Sequence, residues 1–403
     1  MRLADVPLIL MLVGLAAYAV LGGADFGAGF WQLGGGPGER GGTIREHAHH
    51  AMGPVWETNH VWLIFVLVIC WTAYPTAFAS ITSTLSVPLF IAGIGIVLRG
   101  TTYALRSGTA TPREQRLVEV VFAVSSILTP FALGAVIGGI ASSRVPVGNA
   151  EGDLWSSWLN STSILVGVLS VATAAYLAAV YLAADAARIG RPDLVRALRG
   201  RALGCGVVAG AAAMAGLPIV RHDARPIWDG LTSGAGLGAV IVSAAAGLAT
   251  MVLVFRSRFE PARATAALAV AAIIAGWALA QRPRFLPGLT VEAAAASRGA
   301  LIAVIVGVGI GALLLVPSLA LLFGLLLRGR FDPNTVPQAV GGTRKRAATI
   351  PPQLGLVALG CLGVGSVLTF FFEASWAHIV GVPALLAFVG LGFVALASQI
   401  ADA

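Results

Sequence analysis

Four ionisable residues stand at the ends of long apolar runs: Asp25, Glu57, Arg99 and Glu119. A charge beside hydrocarbon is costly, so such residues are functional candidates by default. Asp25 sits among Gly22, Gly23, Gly27 and Gly29. Glu57 lies in Trp56-Glu57-Thr58-Asn59-His60. Desolvation and a nearby arginine pull the proton affinity of a carboxylate in opposite directions. A group balanced between them can take up and hand on protons. The same residues also admit a structural role, with Arg99 pairing a carboxylate and pinning three helices together. Headgroup contact by snorkelling is a third reading. All three stay open on the residues alone.

Histidine and cysteine chemistry is sparser. His60 opens the second apolar run, where an interfacial hydrogen bond is expected. His47, His49 and His50 share a polar loop, which reads as a solvated cluster before it reads as a metal site. His222 and His378 lie near the opposite face, so two histidines facing one another across a haem are not expected within the chain. Cys70, Cys205 and Cys361 are far apart inside apolar runs and read as small buried residues. Trp62, Trp71 and Tyr74, with Trp155 and Trp158, read mostly as interfacial belt and packing. Trp56 stands apart because it adjoins Glu57.

The elements that must carry these residues are membrane-spanning helices. The chain has 403 residues, 57% hydrophobic and 11% charged, with a mean hydropathy of +0.87. Soluble domains carry about 25% charged residues. Eleven segments suit a spanning helix of roughly 20 residues. They are 6–30, 60–80, 84–105, 117–140, 158–184, 202–220, 231–255, 262–281, 299–327, 353–372 and 379–399. The runs lack the period-two alternation of a β-barrel. The 50 glycines allow close helix approach. Alternating the segments puts nineteen of the 26 basic residues on one side and seven on the other. The positive-inside rule makes the rich side cytoplasmic, the N-terminus external and the C-terminus internal. The bases are scattered between apolar runs, which excludes nucleic acid as a partner. Ala17-Tyr18-Ala19 resembles a signal cleavage site, but the run continues to Trp31, so a retained helix is expected. Asp25 and Asp185 close the first and fifth runs on the same side, a hint of a duplicated four-helix unit.

Two segments make the chain recognisable. One is Gly23-Ala24-Asp25-Phe26-Gly27-Ala28-Gly29. The other is Pro54-Val55-Trp56-Glu57-Thr58-Asn59-His60-Val61-Trp62-Leu63-Ile64, followed by Trp71-x-x-Tyr74-Pro75 and, after a glycine-rich helix, Arg99-Gly100. Together they resemble subunit II of bd-type quinol:oxygen oxidases, including the cyanide-insensitive variants. The likeness is clear over about 1–140 and topological to about 328. Some members carry a further carboxylate before the glycine motif, where this chain has Gly22.

The resemblance implies an all-α polytopic membrane protein of the bacterial cytoplasmic membrane. Its core has nine helices, two four-helix bundles plus a peripheral helix, over 1–328. A cytoplasmic linker (329–352) and an extra two-helix transmembrane hairpin (353–403) follow. It implies a heterodimer whose subunit I carries haems b and d and the quinol site, while this chain binds no cofactor beyond a structural quinone of the kind some members hold. Small single-helix accessory subunits and lipids are further expected partners. Asp25, Glu57 and Arg99, with Trp56 and His60 beside them, would form or support a path for cytoplasmic protons toward the oxygen-reducing site. The rival reading is a proton- or ion-coupled solute transporter, which helix number and glycine content also suit.

Overall fold

A computed structural model describes residues 2–36, 38–52, 56–105, 111–327, 353–372 and 374–402. The described chain is almost entirely helical. Eight helices are long and apolar enough to cross a membrane: 5–33, 86–105, 113–141, 161–188, 192–223, 234–255, 259–281 and 298–315. Three shorter apolar stretches, 59–73, 356–369 and 379–388, fall on the remaining expected segments. The protein is a multi-pass membrane protein. The expected linker lies outside the described residues.

The first span is one rod in three parts: α1 (Asp5–Ala17), a single π turn (Tyr18–Gly22) and α2 (Gly23–Leu33). A short α3 (Gly38–Met52) leads to α4 (Trp56–Ala73). The expected helix 60–80 is interrupted at Tyr74, because Pro75 supplies no N–H and disfavours helical dihedrals in the residue before it. Tyr74 adopts φ −138° and ψ 60°, and α5 (Pro75–Thr84) starts afresh. Then come α6 (Ser86–Leu105), α7 (Pro112–Ala141) and α8 (Ser161–Arg188). Thr111 and Glu114 form a capping box at the start of α7. The second half continues with α9 (Pro192–Asp223), the short α10 (Arg225–Leu231), α11 (Gly234–Phe255) and α12 (Phe259–Gln281). A two-stranded antiparallel hairpin, β1 (Arg284–Leu286) and β2 (Leu289–Thr290), and the one-turn α13 (Val291–Ala294) precede α14 (Arg298–Leu327).

The chain divides into two compact units within α14, at Leu315 and Val316. In the first unit α2 packs against both α7 and α8, α6 against α7, α8 against α9 and α12, and α11 against α12. One core cluster runs through α2, α3, α8, α9, α11 and α12 around Leu177, Leu182, Leu198 and Val254. A second gathers Ile69, Tyr74, Leu85, Val145 and Leu286 toward the end of the unit where the first span begins. That end is tied by polar contacts: Arg282 to Asp5 (2.9 Å), Arg2 to Glu292, and Arg144 to Asp223 (2.8 Å). Asp223 also accepts from the Thr162 hydroxyl at 2.6 Å, near the start of α8. In the second unit α15 (Gln353–Phe371) and α16 (Ser375–Asp402) pack as a pair. A Cβ on Gly365 would lie 2.7 Å from Leu385, and one on Gly381 would lie 2.5 Å from the Thr369 hydroxyl, so glycine sets their close approach.

Candidate functional site

The glycine motif and Arg99 meet inside the first unit. Arg99, on α6, is 2% exposed, and Asp25, on α2, is 1% exposed. Arg99 Nη2 donates to Asp25 Oδ1 at 2.6 Å and to the Asp25 backbone carbonyl at 2.8 Å. Nη1 donates to the Ser126 hydroxyl of α7. The guanidinium lies over Phe122 (4.3 Å to the ring centroid) and Phe26 (5.1 Å). Three helices therefore close on one cation through two charge-assisted bonds, a carbonyl and two aromatic faces. Asp25 Oδ2 is buried and accepts no hydrogen bond among the described residues. One carboxylate oxygen is thus committed to Arg99 while the other remains available.

Glycine makes this approach feasible. A Cβ on Gly29 would lie 2.1 Å from Ser126 Oγ and 2.8 Å from Arg99 Nη1, in the space the ion pair uses. A Cβ on Gly27 would lie 1.9 Å from the Ala174 carbonyl oxygen of α8. The first motif is a set of backbone surfaces on which α7 and α8 can settle beside a buried acid.

The second motif meets the first at the π turn. An inserted π turn breaks the regular ladder of backbone hydrogen bonds, and such turns are frequent at functional sites. Asn59 Nδ2 donates to the Leu21 carbonyl of this turn at 3.2 Å. His60 follows on α4. Its ring centroid is 6.1 Å from that of Tyr18 and 6.0 Å from that of Phe26. Tyr18 lies near the middle of the span 5–33, so the His60 ring packs beside the middle of the first span. The reason is that α4 starts part-way along the rod it packs against. Trp56 and Glu57 open α4 in the backbone, but their side chains lie outside the described residues.

Toward the end of the rod at Leu33, a small open-sided crevice of about 10 Å³, room for about one water, lies between Gln32, His49, Thr102, Glu119 and Phe122. Phe122 is shared: it walls this cavity and also lies against the Arg99 guanidinium. Glu119 therefore sits beside an approach to the ion pair, on the arginine-rich side.

Other candidates separate from this site. His47 is buried, with Nε2 3.0 Å from the Leu182 carbonyl and 4.0 Å from Asp185 Oδ2, so the expectation of a solvated histidine cluster is corrected by burial of α3 against α8. The His49 ring lies 5.3 Å from Tyr103, and the His50 side chain is outside the described residues. No group of three or more metal-ligating residues occurs among the described residues. Asp185 is part-exposed and pairs with Arg188, so it does not repeat the environment of Asp25. Tyr74 and Trp158 are buried rather than belt residues, Tyr74 donating to the Ala4 carbonyl at 2.5 Å. Trp71 and Trp155 are exposed, as a belt requires. Tyr18 is the site residue that sequence reasoning missed. Its only signal was a tyrosine in the middle of an otherwise apolar span.

Comparison with known proteins places the fold and the family. The family described as "Cytochrome bd terminal oxidase subunit II" matches residues 3–326. A curated relative, "Cytochrome bd ubiquinol oxidase subunit 2" of Bacillus subtilis (strain 168), is 28% identical over 167 residues, 41% of this chain and 48% of that protein. The chain thus spans about half the length of that relative. The solved bd oxidase of Geobacillus thermodenitrificans contains a chain of similar fold, with a TM-score of 0.62 and 24% identity, covering 81% of this chain and 99% of that one. The matched region contains Asp25, Asn59, His60 and Arg99, and on that match the chain belongs to the cytochrome bd terminal oxidase subunit II family.

Proposed function

We propose that this chain is the haem-free subunit II of a bd-type quinol:oxygen oxidoreductase. It scaffolds a haem-bearing subunit I and helps to deliver cytoplasmic protons for reduction of dioxygen to water. The observation that carries the reading is the buried Asp25–Arg99 pair, whose carboxylate keeps one oxygen free of donors among the described residues, within a matched family region. A purely structural pair would be expected to use both carboxylate oxygens, since a buried unmet acceptor costs about 1–3 kcal/mol. Glu57 is taken as the second acid of the path, with Trp56 and His60 beside it. The cavity at Gln32 and Glu119 fits access from the arginine-rich side, which the positive-inside rule makes cytoplasmic.

The haems are assigned to subunit I, a reading supported by membership of the subunit II family. The hairpin of α15 and α16 either mimics a small accessory subunit by covalent fusion or is lipid-facing decoration.

The first experiment is a reduced-minus-oxidised visible spectrum of the membrane complex purified through a tag on this chain. Haem bands from a copurifying larger subunit are expected. A colourless, monodisperse single chain would overturn the reading in favour of a transporter. In the purified complex, Glu57→Gln is expected to leave haem content intact and slow oxygen consumption by about tenfold or more at saturating quinol. Unchanged turnover would remove Glu57 from the path.

A further inference from the structure

Tyr18 is a polar residue to which the proposed path gives no part. It belongs to the π turn, thirteen residues from Asp5 and fifteen from Leu33, the two ends of the first span. At 1.5 Å per residue that places it about 20 Å from each end. Its side chain is 6% exposed, and its hydroxyl makes no hydrogen bond among the described residues. A phenylalanine could fill the same space at no such cost, because an unmet buried hydroxyl costs about 1–3 kcal/mol. Buried polar groups of this kind call for a specific explanation.

The surroundings supply one. The ring edge packs on Gly22, where an added Cβ would sit 3.0 Å from Tyr18 Cε2, on the helical turn that leads to Asp25. Phe26 packs edge-on against it at 6.4 Å, and His60 lies 6.1 Å away on α4. Phe26 in turn carries the Arg99 guanidinium on its face. The second unmet atom of this cluster, Asp25 Oδ2, lies seven residues further along the same rod, about 10 Å of helical rise. Two unmet oxygens, an acid and a phenol, thus flank one phenylalanine between the ion pair and the membrane middle.

We propose that the Tyr18 hydroxyl is a proton-conducting group that continues the path from Asp25 to the centre of the membrane, with His60 beside it. This rests on the proton-delivery reading of the site. Asp25 and Tyr18 are too far apart for one direct bond, so the transfer passes through water held between them, for which the two unmet oxygens provide partners. The phenol oxygen accepts a proton from the water on the side of Asp25 as its own O–H proton passes to a second water on the far side. The hydroxyl then rotates back. No charge remains on Tyr18 and no electron moves. The π turn serves this role by letting Asn59 hold the Leu21 carbonyl while the ring edge packs on Gly22.

The test uses the assembled oxidase carrying Tyr18→Phe, which keeps the ring and removes only the oxygen. Haem spectra are expected to be unchanged. Oxygen consumption at saturating quinol is expected to fall about tenfold, with a larger solvent deuterium isotope effect. Turnover and isotope effect both matching the parent would overturn the proposal. If Tyr18→Phe does not assemble, 3,5-difluorotyrosine at position 18 preserves shape and acidifies the phenol. A shifted pH profile of turnover is then expected, and an unshifted one overturns the proposal. Asp25→Asn and Glu57→Gln run alongside. If both leave turnover unchanged, the proton-delivery reading itself fails. If they slow it and Tyr18→Phe does not, only the role of Tyr18 fails.

Discussion

Arg99 reaches Asp25 twice from one nitrogen, at 2.6 Å to the carboxylate and 2.8 Å to the carbonyl of the same residue. The guanidinium therefore fixes the backbone of α2 as well as its charge. This coupling of a local backbone position to a buried ion pair explains why Asp25 stands in a glycine-rich segment. Only a bare backbone lets the arginine and its serine partner come so close.

Removing one member of the pair leaves the other charge buried and unpaired. Breaking a buried pair by one partner costs about 3–5 kcal/mol. Arg99→Gln is expected to lower the thermal unfolding midpoint of the purified complex markedly, whereas Arg99→Gln with Asp25→Asn, which buries no charge, loses less. A loss in the double variant equal to the sum of the losses in Arg99→Gln and Asp25→Asn would show that the two residues act independently.

The motif glycines are expected to tolerate a methyl group in a fixed order. Gly27→Ala drives its Cβ into the Ala174 backbone, which has nowhere to go. Gly29→Ala drives it into the Ser126 side chain, which can rotate at the cost of its bond to Arg99. Gly93→Ala meets nothing within 4 Å. Overpacking costs about 1–3 kcal/mol, so yield and unfolding midpoint of the complex should fall most for Gly27→Ala, then Gly29→Ala, and stay level for Gly93→Ala. Equal behaviour of all three would contradict the packing described.

Asn59→Leu keeps bulk and deletes the donor that meets the Leu21 carbonyl. The unmet acceptor costs about 1–3 kcal/mol, and the loss falls on the π turn. Amide hydrogen exchange in the segment 18–25 is expected to accelerate in the variant complex while that of α11 and α12 is unchanged. Equal exchange in both regions would show that the side chain does not hold the turn.

The sequence by itself determined the spans, because hydropathy is a sum over about twenty residues and does not depend on which helix lies alongside. It also determined that Asp25 and Arg99 were exceptional, since charges within apolar runs stand out without any structure. Which partner each would find was decided only by the tertiary structure. Asp25 and Asp185 end similar runs, yet α6 and α7 bring Arg99 to the first, while Asp185 keeps Arg188 and the edge of His47. His47 reads as a loop residue and is buried because α3 packs on α8. His60 opens its own apolar run and yet packs beside the middle of the first span, because α4 begins part-way along its neighbour. Tyr18 gave little signal beyond its type. Its place follows from one π turn, which by adding a residue to the ladder rotates everything beyond it by about 100°. Burial and partnership depend on which helix faces meet, and one added residue in a rod is enough to change every face after it.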